Sequence, residues 1–303
     1  MRVHTHALLT AASTLALMVM GTLVYATGSS LACPDWPLCH GSFFPTMTGG
    51  VAFEHTHRLM AAGVIALLLT LFLRVRRRDA GTRRLAGAAC ALVALQATLG
   101  GLTVLYGLPP AISVAHLATS MTLLTVLVVL AIRLSPWRRS GHGAVPRRWT
   151  GAAALLVFAQ IVLGGVVRHT GAALACASVP LCNGAVWPRS WPGDVQMLHR
   201  GVGVVAAAVV LTVSSAACRR ERTAAGRAIA LAPAILVCVQ VALGVAVVLA
   251  RAPVQLIALH HAGGATLLAS LALSWELAGS PVRAAAGSPP PEVPEDLAPA
   301  AQS

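Results

Sequence analysis

Residues 54–78 read Glu54-His55-Thr56-His57-Arg58-Leu59-Met60-Ala61-Ala62-Gly63-Val64-Ile65-Ala66-Leu67-Leu68-Leu69-Thr70-Leu71-Phe72-Leu73-Arg74-Val75-Arg76-Arg77-Arg78. A short polar head leads into an uncharged apolar stretch, which ends in a burst of arginine. An amphipathic helix of a water-soluble domain would keep one polar face, and this stretch has none. In lipid it is a span, because ~20 mostly apolar residues cross a hydrocarbon core of ~30 Å. Runs of this kind recur at about 7–27, 53–73, 85–106, 112–132, 150–168, 197–217, 228–249 and 256–276. The reading is an all-α integral membrane protein with eight transmembrane helices. Composition agrees: 57% of residues are hydrophobic, 10% are charged and the mean hydropathy is +0.77. So few residues lie outside the runs that a large soluble domain is excluded.

The net charge of +13 would suggest nucleic acid in a soluble protein, but its distribution gives it another meaning. Every basic residue is arginine, and seventeen of the 22 fall near the termini or between spans two and three, four and five, and six and seven. Only Arg58, Arg168, Arg189, Arg200 and Arg251 fall on the opposite side. The positive-inside rule then predicts cytoplasmic termini and a multi-pass protein of the cell (inner, plasma) membrane. Nucleic acid is not expected as a partner. Arginine in place of lysine throughout suggests a GC-rich bacterial genome. The first run resembles a signal peptide, but its end, Met20-Gly21-Thr22-Leu23-Val24-Tyr25-Ala26-Thr27-Gly28, parallels Leu163-Gly164-Gly165-Val166-Val167-Arg168-His169-Thr170-Gly171, which argues for a retained helix. Residues 279–303, rich in Pro and Ala, are expected to be a disordered cytoplasmic tail.

That parallel belongs to an internal repeat at an offset of 142–144 residues. Cys33 and Cys39 match Cys176 and Cys182; His57-Arg58 matches His199-Arg200; Gln96, Gly100, Pro109 and His116 match Gln240, Gly244, Pro253 and His260. Four spans per unit keep both units in one orientation, so parallel repeats are expected: an N-terminal four-helix half over 1–140 and a C-terminal half over 141–278. Bundles of this kind build cofactor sites between facing helices.

His57, His116, His199 and His260 begin spans two, four, six and eight, which all start from the outer side. The four imidazoles therefore share one depth, and ionisable groups inside spans are functional candidates. Two per half suit the iron of a heme, as neutral imidazole is a common axial ligand. Zinc would call for more ligands, and copper stays open as the competing metal. His261 follows His260 but points elsewhere on a helix, as second-shell group or bystander. Arg58 and Arg200 suit either lipid headgroups or heme propionates. Glu54 lies one turn before His57, where the other half has Gln196, so chemistry is expected beside one site and plain binding in the other. Glu54 also suits a residue favoured at a helix start by the dipole. The C-x5-C pairs fall in the outer loops, where thiols oxidise, so disulfides Cys33–Cys39 and Cys176–Cys182 are expected, in a structural or a redox role. Cys90, Cys218 and Cys238 read as packing residues.

Cys33-Pro34-Asp35-Trp36-Pro37-Leu38-Cys39, Glu54-x-x-His57-Arg58 and Val167-Arg168-His169-Thr170-Gly171 together resemble the heme A synthase family, over about residues 7–277. The resemblance implies oxidation of the ring D (C8) methyl group of heme O to a formyl group by successive hydroxylations, giving heme A for cytochrome oxidase assembly. It implies heme b as cofactor on His199 and His260 with Arg200, and substrate heme O on His57 and His116 with Arg58, beside Glu54. Cys33 and Cys39 would be the redox-linked pair, and Cys176–Cys182 a structural disulfide, whose loop lacks the Asp and Trp of the first. Heme O synthase and a second copy of the chain are the expected protein partners. The same histidines would serve a di-heme cytochrome in quinone-linked electron transfer, and the cysteines alone a membrane thiol-disulfide oxidoreductase.

Overall fold

The structure, a computed structural model, describes residues 1–136 and 145–278. The tail expected over 279–303, with Arg138 and Arg139, lies outside the described residues. Within them the chain forms eight long helices: α1 Val3–Ala26, α2 Gly49–Val75, α3 Ala80–Leu105, α4 Pro110–Leu134, α5 Arg147–His169, α6 Trp191–Arg220, α7 Ala224–Leu249 and α8 Val254–Ala278. Each is long and apolar enough to cross a membrane, so the eight expected runs are all present, extended at their ends. Lipid offers the backbone no hydrogen bonds, and a helix satisfies its own. Hydroxyls buried in α1 do likewise: Thr10, Thr14 and Thr22 donate to the carbonyls of His6, Thr10 and Met18 at 2.8–3.1 Å.

Starts and stops follow local chemistry. Asp79 caps α3 by accepting from Thr82 N at 2.9 Å, and Thr223 caps α7 by accepting from Gly226 N at 3.0 Å. Proline at the first helical turns opens α4 and α6, where its missing N–H costs nothing. Gly28, Gly107 and Gly171 close α1, α3 and α5 at φ of +67 to +73°, a conformation that only glycine adopts freely.

Among the first four helices, α1 packs on α2 and α4, and α3 on α2 and α4. The last four repeat the pattern, with α5 and α7 each packed on α6 and α8. The two rings meet through α1 against α8, α4 against α8 and α4 against α5. Half of the apolar window of α4 is buried and only 11% of that of α7, so α4 is central and α7 faces lipid. Without a hydrophobic drive between helices in lipid, close packing and polar contacts hold such an assembly. Met18, Met121, Leu124, Val157, Val210 and Leu268 belong to the core cluster that spans the junction. At the arginine-rich end, Arg133 on α4 grips Glu276 on α8 with Nε at 2.9 Å and Nη2 at 3.3 Å, and Arg147 on α5 reaches it at 3.4 Å while lying 3.5 Å over the Trp275 ring. At the opposite end, the Tyr25 hydroxyl donates to Arg168 O at 3.0 Å, and the Arg168 guanidinium lies 4.1 Å over the Tyr25 ring. Tyr25 and Arg168 occupy matching positions of the sequence repeat, and they meet.

Candidate functional site

Leucine, valine and alanine fill the arginine-rich end of the first ring, in clusters around Leu71, Val75 and Leu130 and around Leu68, Val93 and Leu127. The other end holds the histidines. Each is partly buried and packs its ring against a glycine of the preceding helix. A Cβ on Gly21 would stand 2.9 Å from His57 Cε1, and one on Gly164 would stand 2.9 Å from His199 Cε1. Gly100 and Gly244 relate to His116 and His260 in the same way, at 3.1 Å. At Gly21 and Gly164 the ring has room that any side chain would take away, and at Gly100 and Gly244 a Cβ would press on the ring. Spacing did not reveal this role, although the repeat had already paired these glycines.

Glutamine sets the rings. Gln96 Nε2 lies 3.2 Å from His116 Nε2, and Gln240 Nε2 lies 3.4 Å from His260 Nε2 and donates to His260 O at 2.9 Å. Gln160 Nε2 sits 3.1 Å from His199 Nδ1 and donates to His199 O at 2.8 Å. The position matching Gln160 in the first half is Leu17, so His57 has no such glutamine. His57 and His116 lie within electrostatic reach of each other, as do His199 and His260. Nδ1 of His57, His116 and His260 is sealed from solvent and makes no hydrogen bond. Buried polar atoms are rarely left so. Paired imidazoles, each against a glycine inside a bundle and three of the four with an unpartnered Nδ1, fit residues that would hold a heme in each half.

Over each site folds a disulfide-closed loop, and both expected bonds are present, Cys33–Cys39 and Cys176–Cys182. Beyond each second cysteine the backbone turns through His40-Gly41 or Asn183-Gly184 at positive φ, and Cys39 pairs with Ser42 as Cys182 pairs with Ala185. Asp35 accepts from His40 N and Gly41 N, both at 2.7 Å. These N–H groups hold its carboxyl below the usual aspartate range. Ser178 replaces it in the second loop by accepting from Asn183 N at 2.8 Å. Trp36 lies against Gly101 of α3, where a Cβ would come within 2.8 Å of the indole.

Arginine clamps both loops. Arg58 Nη1 donates to Asp35 O at 2.7 Å and to Leu38 O, and Nη2 to Cys33 O at 3.1 Å. Arg200 donates to Ser178 O at 2.7 Å, Pro180 O at 3.1 Å and Cys176 O at 3.0 Å. The carbonyls of a tightly closed loop were not among the partners that the sequence suggested for either arginine.

Glu54 and Gln196 do one job with different charge. Glu54 accepts from Cys33 N at 2.8 Å, and Gln196 from Cys176 N at 2.7 Å. The other Glu54 oxygen takes Arg58 Nη2 at 2.6 Å, whereas the Gln196 amide donates to Ala173 O at 2.8 Å. Helix α2 begins at Gly49, so Glu54 lies beyond the first turn, which corrects the helix-start alternative. At this matched position a buried carboxylate thus stands in the first half and a buried amide in the second.

The chain matches the COX15-CtaA family of cytochrome oxidase assembly proteins over residues 4–272. Proteins named Heme A synthase are among its relatives. That of Bacillus licheniformis is 30% identical over 265 residues, covering 80% of this chain and 85% of that protein. That of Alkalihalophilus pseudofirmus is 31% identical over 216 residues, 67% and 72% of the two chains, and that of Shouchella clausii 29% over 278 residues, 87% and 92%. With a match that enters all eight helices and carries both histidine pairs, this chain belongs to the COX15-CtaA family of cytochrome oxidase assembly proteins.

Proposed function

We infer that the chain is a heme A synthase, an oxidoreductase that converts heme O to heme A in the membrane. The observation that carries the reading beyond heme binding is the asymmetry at one matched position: Glu54 on the loop backbone in the first half, Gln196 in the second. One half is equipped to bind, and the other to bind and move a proton. Heme O is placed in the first half, between His57 and His116, and heme b in the second, between His199 and His260. The halves over 1–140 and 141–278 are read as parallel repeats, with the histidine ends outward and both termini in the cytoplasm. Five matched pairs of contacts to histidines, loops and glycines support the repeat.

An unactivated methyl group yields to no protein side chain, and heme iron supplies the oxidising chemistry. The chain contributes position and protons. Histidine pairs orient the macrocycles, and Gly21 and Gly100 let the substrate-side rings seat. Arg58 and Arg200 serve their hemes by holding each loop down over the site. With each oxygen of Glu54 taking one donor, the carboxylate keeps lone pairs free to receive the O–H proton of the twice-hydroxylated carbon as it loses water to become the formyl group. Cys33 and Cys39, fastened to Glu54 through the Cys33 amide, are the pair placed to exchange electrons; Cys176–Cys182 is structural. A farnesylating heme O synthase is the natural donor of so apolar a substrate, and a second copy of the chain a candidate neighbour.

Glu54→Gln tests this directly, because it copies the second half. Gln can still accept from Cys33 N, so heme content and fold are expected to persist. Formation of heme A and its hydroxylated precursor should fall by at least about 10²-fold, the usual loss for a proton-transfer group. Full turnover with heme O bound would sink the role given to Glu54.

A further inference from the structure

His55 stands beside the first disulfide, and neither the repeat nor the heme sites account for it. It is 5% exposed. One of its ring nitrogens and the sulfurs of Cys33 and Cys39 all lie within 4.8 Å of one another, and all three residues are buried. Nε2 is 3.0 Å from Phe43 O, a contact that a carbonyl accepts only if that nitrogen carries the proton. The lone pair is therefore on Nδ1, which is sealed from solvent and has no partner. A ring N–H tied to a backbone carbonyl, with the other nitrogen left bare, is how ligating histidines are held. The second loop has Met197 at the matching position, and no such group forms around Cys176 and Cys182 among the described residues.

We propose that reduction of the Cys33–Cys39 disulfide opens a zinc site formed by both thiolates and the His55 imidazole. A thiol reductant carries the first step: the disulfide gains two electrons and two protons, and the donor pair becomes a disulfide. Zn²⁺ then displaces the two thiol protons and bonds to both sulfurs and to the bare nitrogen. Three protein ligands leave the fourth tetrahedral position to water. Thiolate and imidazole together are the donor set that zinc favours over harder cations. Metal and disulfide compete for the same sulfurs, so zinc would hold the pair reduced and out of electron exchange. This holds whatever reaction the histidine pairs perform.

The test uses full-length protein in detergent, reduced, freed of reductant without air, and titrated with Zn²⁺, with Co²⁺ as the coloured substitute. The reduced wild type should bind one equivalent that neither the oxidised protein nor Cys33→Ser/Cys39→Ser binds, with thiolate-to-cobalt absorption. His55→Met, which installs the residue of the other half, should weaken it at least about tenfold, the least that disturbing a ligand shell costs. Helical circular dichroism and thermal unfolding establish that each variant is folded. Zinc bound no better by the wild type than by the double serine variant would overturn the proposal. So would cysteine-dependent zinc with unchanged affinity in His55→Met.

Discussion

At the scale of single residues, the four glycine–histidine contacts decide whether the sites can form. At 2.9 Å from a ring carbon, a methyl on Gly164 forces His199 to move; at 3.1 Å, one on Gly244 asks His260 to yield only by tenths of an ångström. Gly164→Ala is therefore expected to cost most of the heme bound by the second half, and Gly244→Ala only part of it, as read by heme extraction from the two variants. Equal retention in both would contradict the packing described for these rings. The histidines were legible in the sequence because the repeat set them at one depth in related pairs. The glycines were not, because small residues are common in membrane helices and only the neighbouring ring singles these out. The arginine roles escaped for a different reason. Arg58 and Arg200 follow their histidines at the membrane surface, where headgroups and propionates are the usual partners, and only a folded loop turns carbonyls toward them. His55 lay next to the motif that was read, but its link to Cys33 and Cys39 exists only once the loop closes over α2.

Among the elements, the spans were plain in the sequence and their ends less so. Helix α6 begins at Trp191 and α2 at Gly49, several residues before their apolar runs, because hydrogen bonding continues where hydrophobicity has stopped. The two loops were legible as disulfide-closed and opaque in their shape. Asp35 stood in the sequence only as part of the motif that carries the family resemblance, and the fold shows it closing the His40-Gly41 turn in the way Ser178 closes the second. Since its folded carboxyl titrates below the unfolded value of 3.8, its contribution is complete above that pH and is lost as the pH falls through the lower, folded value. Hydrogen-exchange protection of the His40 and Gly41 amides should therefore be constant between about pH 5 and 7 and decline only in acid below the ordinary aspartate range. In Asp35→Ser the protection should be lower throughout and lose this acid dependence. An acid step that survives the substitution would assign it to another group.

At the scale of the whole molecule, two rings of four helices are joined at both ends by polar contacts between halves. Glu276 carries the arginine-rich end, and nothing in its spacing marks it, since Arg133 and Arg147 reach it from far along the chain. Glu276→Gln keeps the shape and removes the charge that two guanidinium groups share. Because both arginines are partly exposed, the cost is expected to be about 1–3 kcal/mol, seen as a lower unfolding temperature with heme content retained. An unchanged unfolding temperature would show that the charge on Glu276 adds nothing to the junction at this end. The larger claim is that one half carries a cofactor and the other a substrate. It is tested most directly by extracting and separating the hemes of the purified protein made with and without a source of heme O. Heme A or its hydroxylated precursor should appear only with that source and vanish in His57→Ala, while heme b persists throughout. Heme b alone under both conditions would contradict the account and leave a di-heme electron carrier in its place.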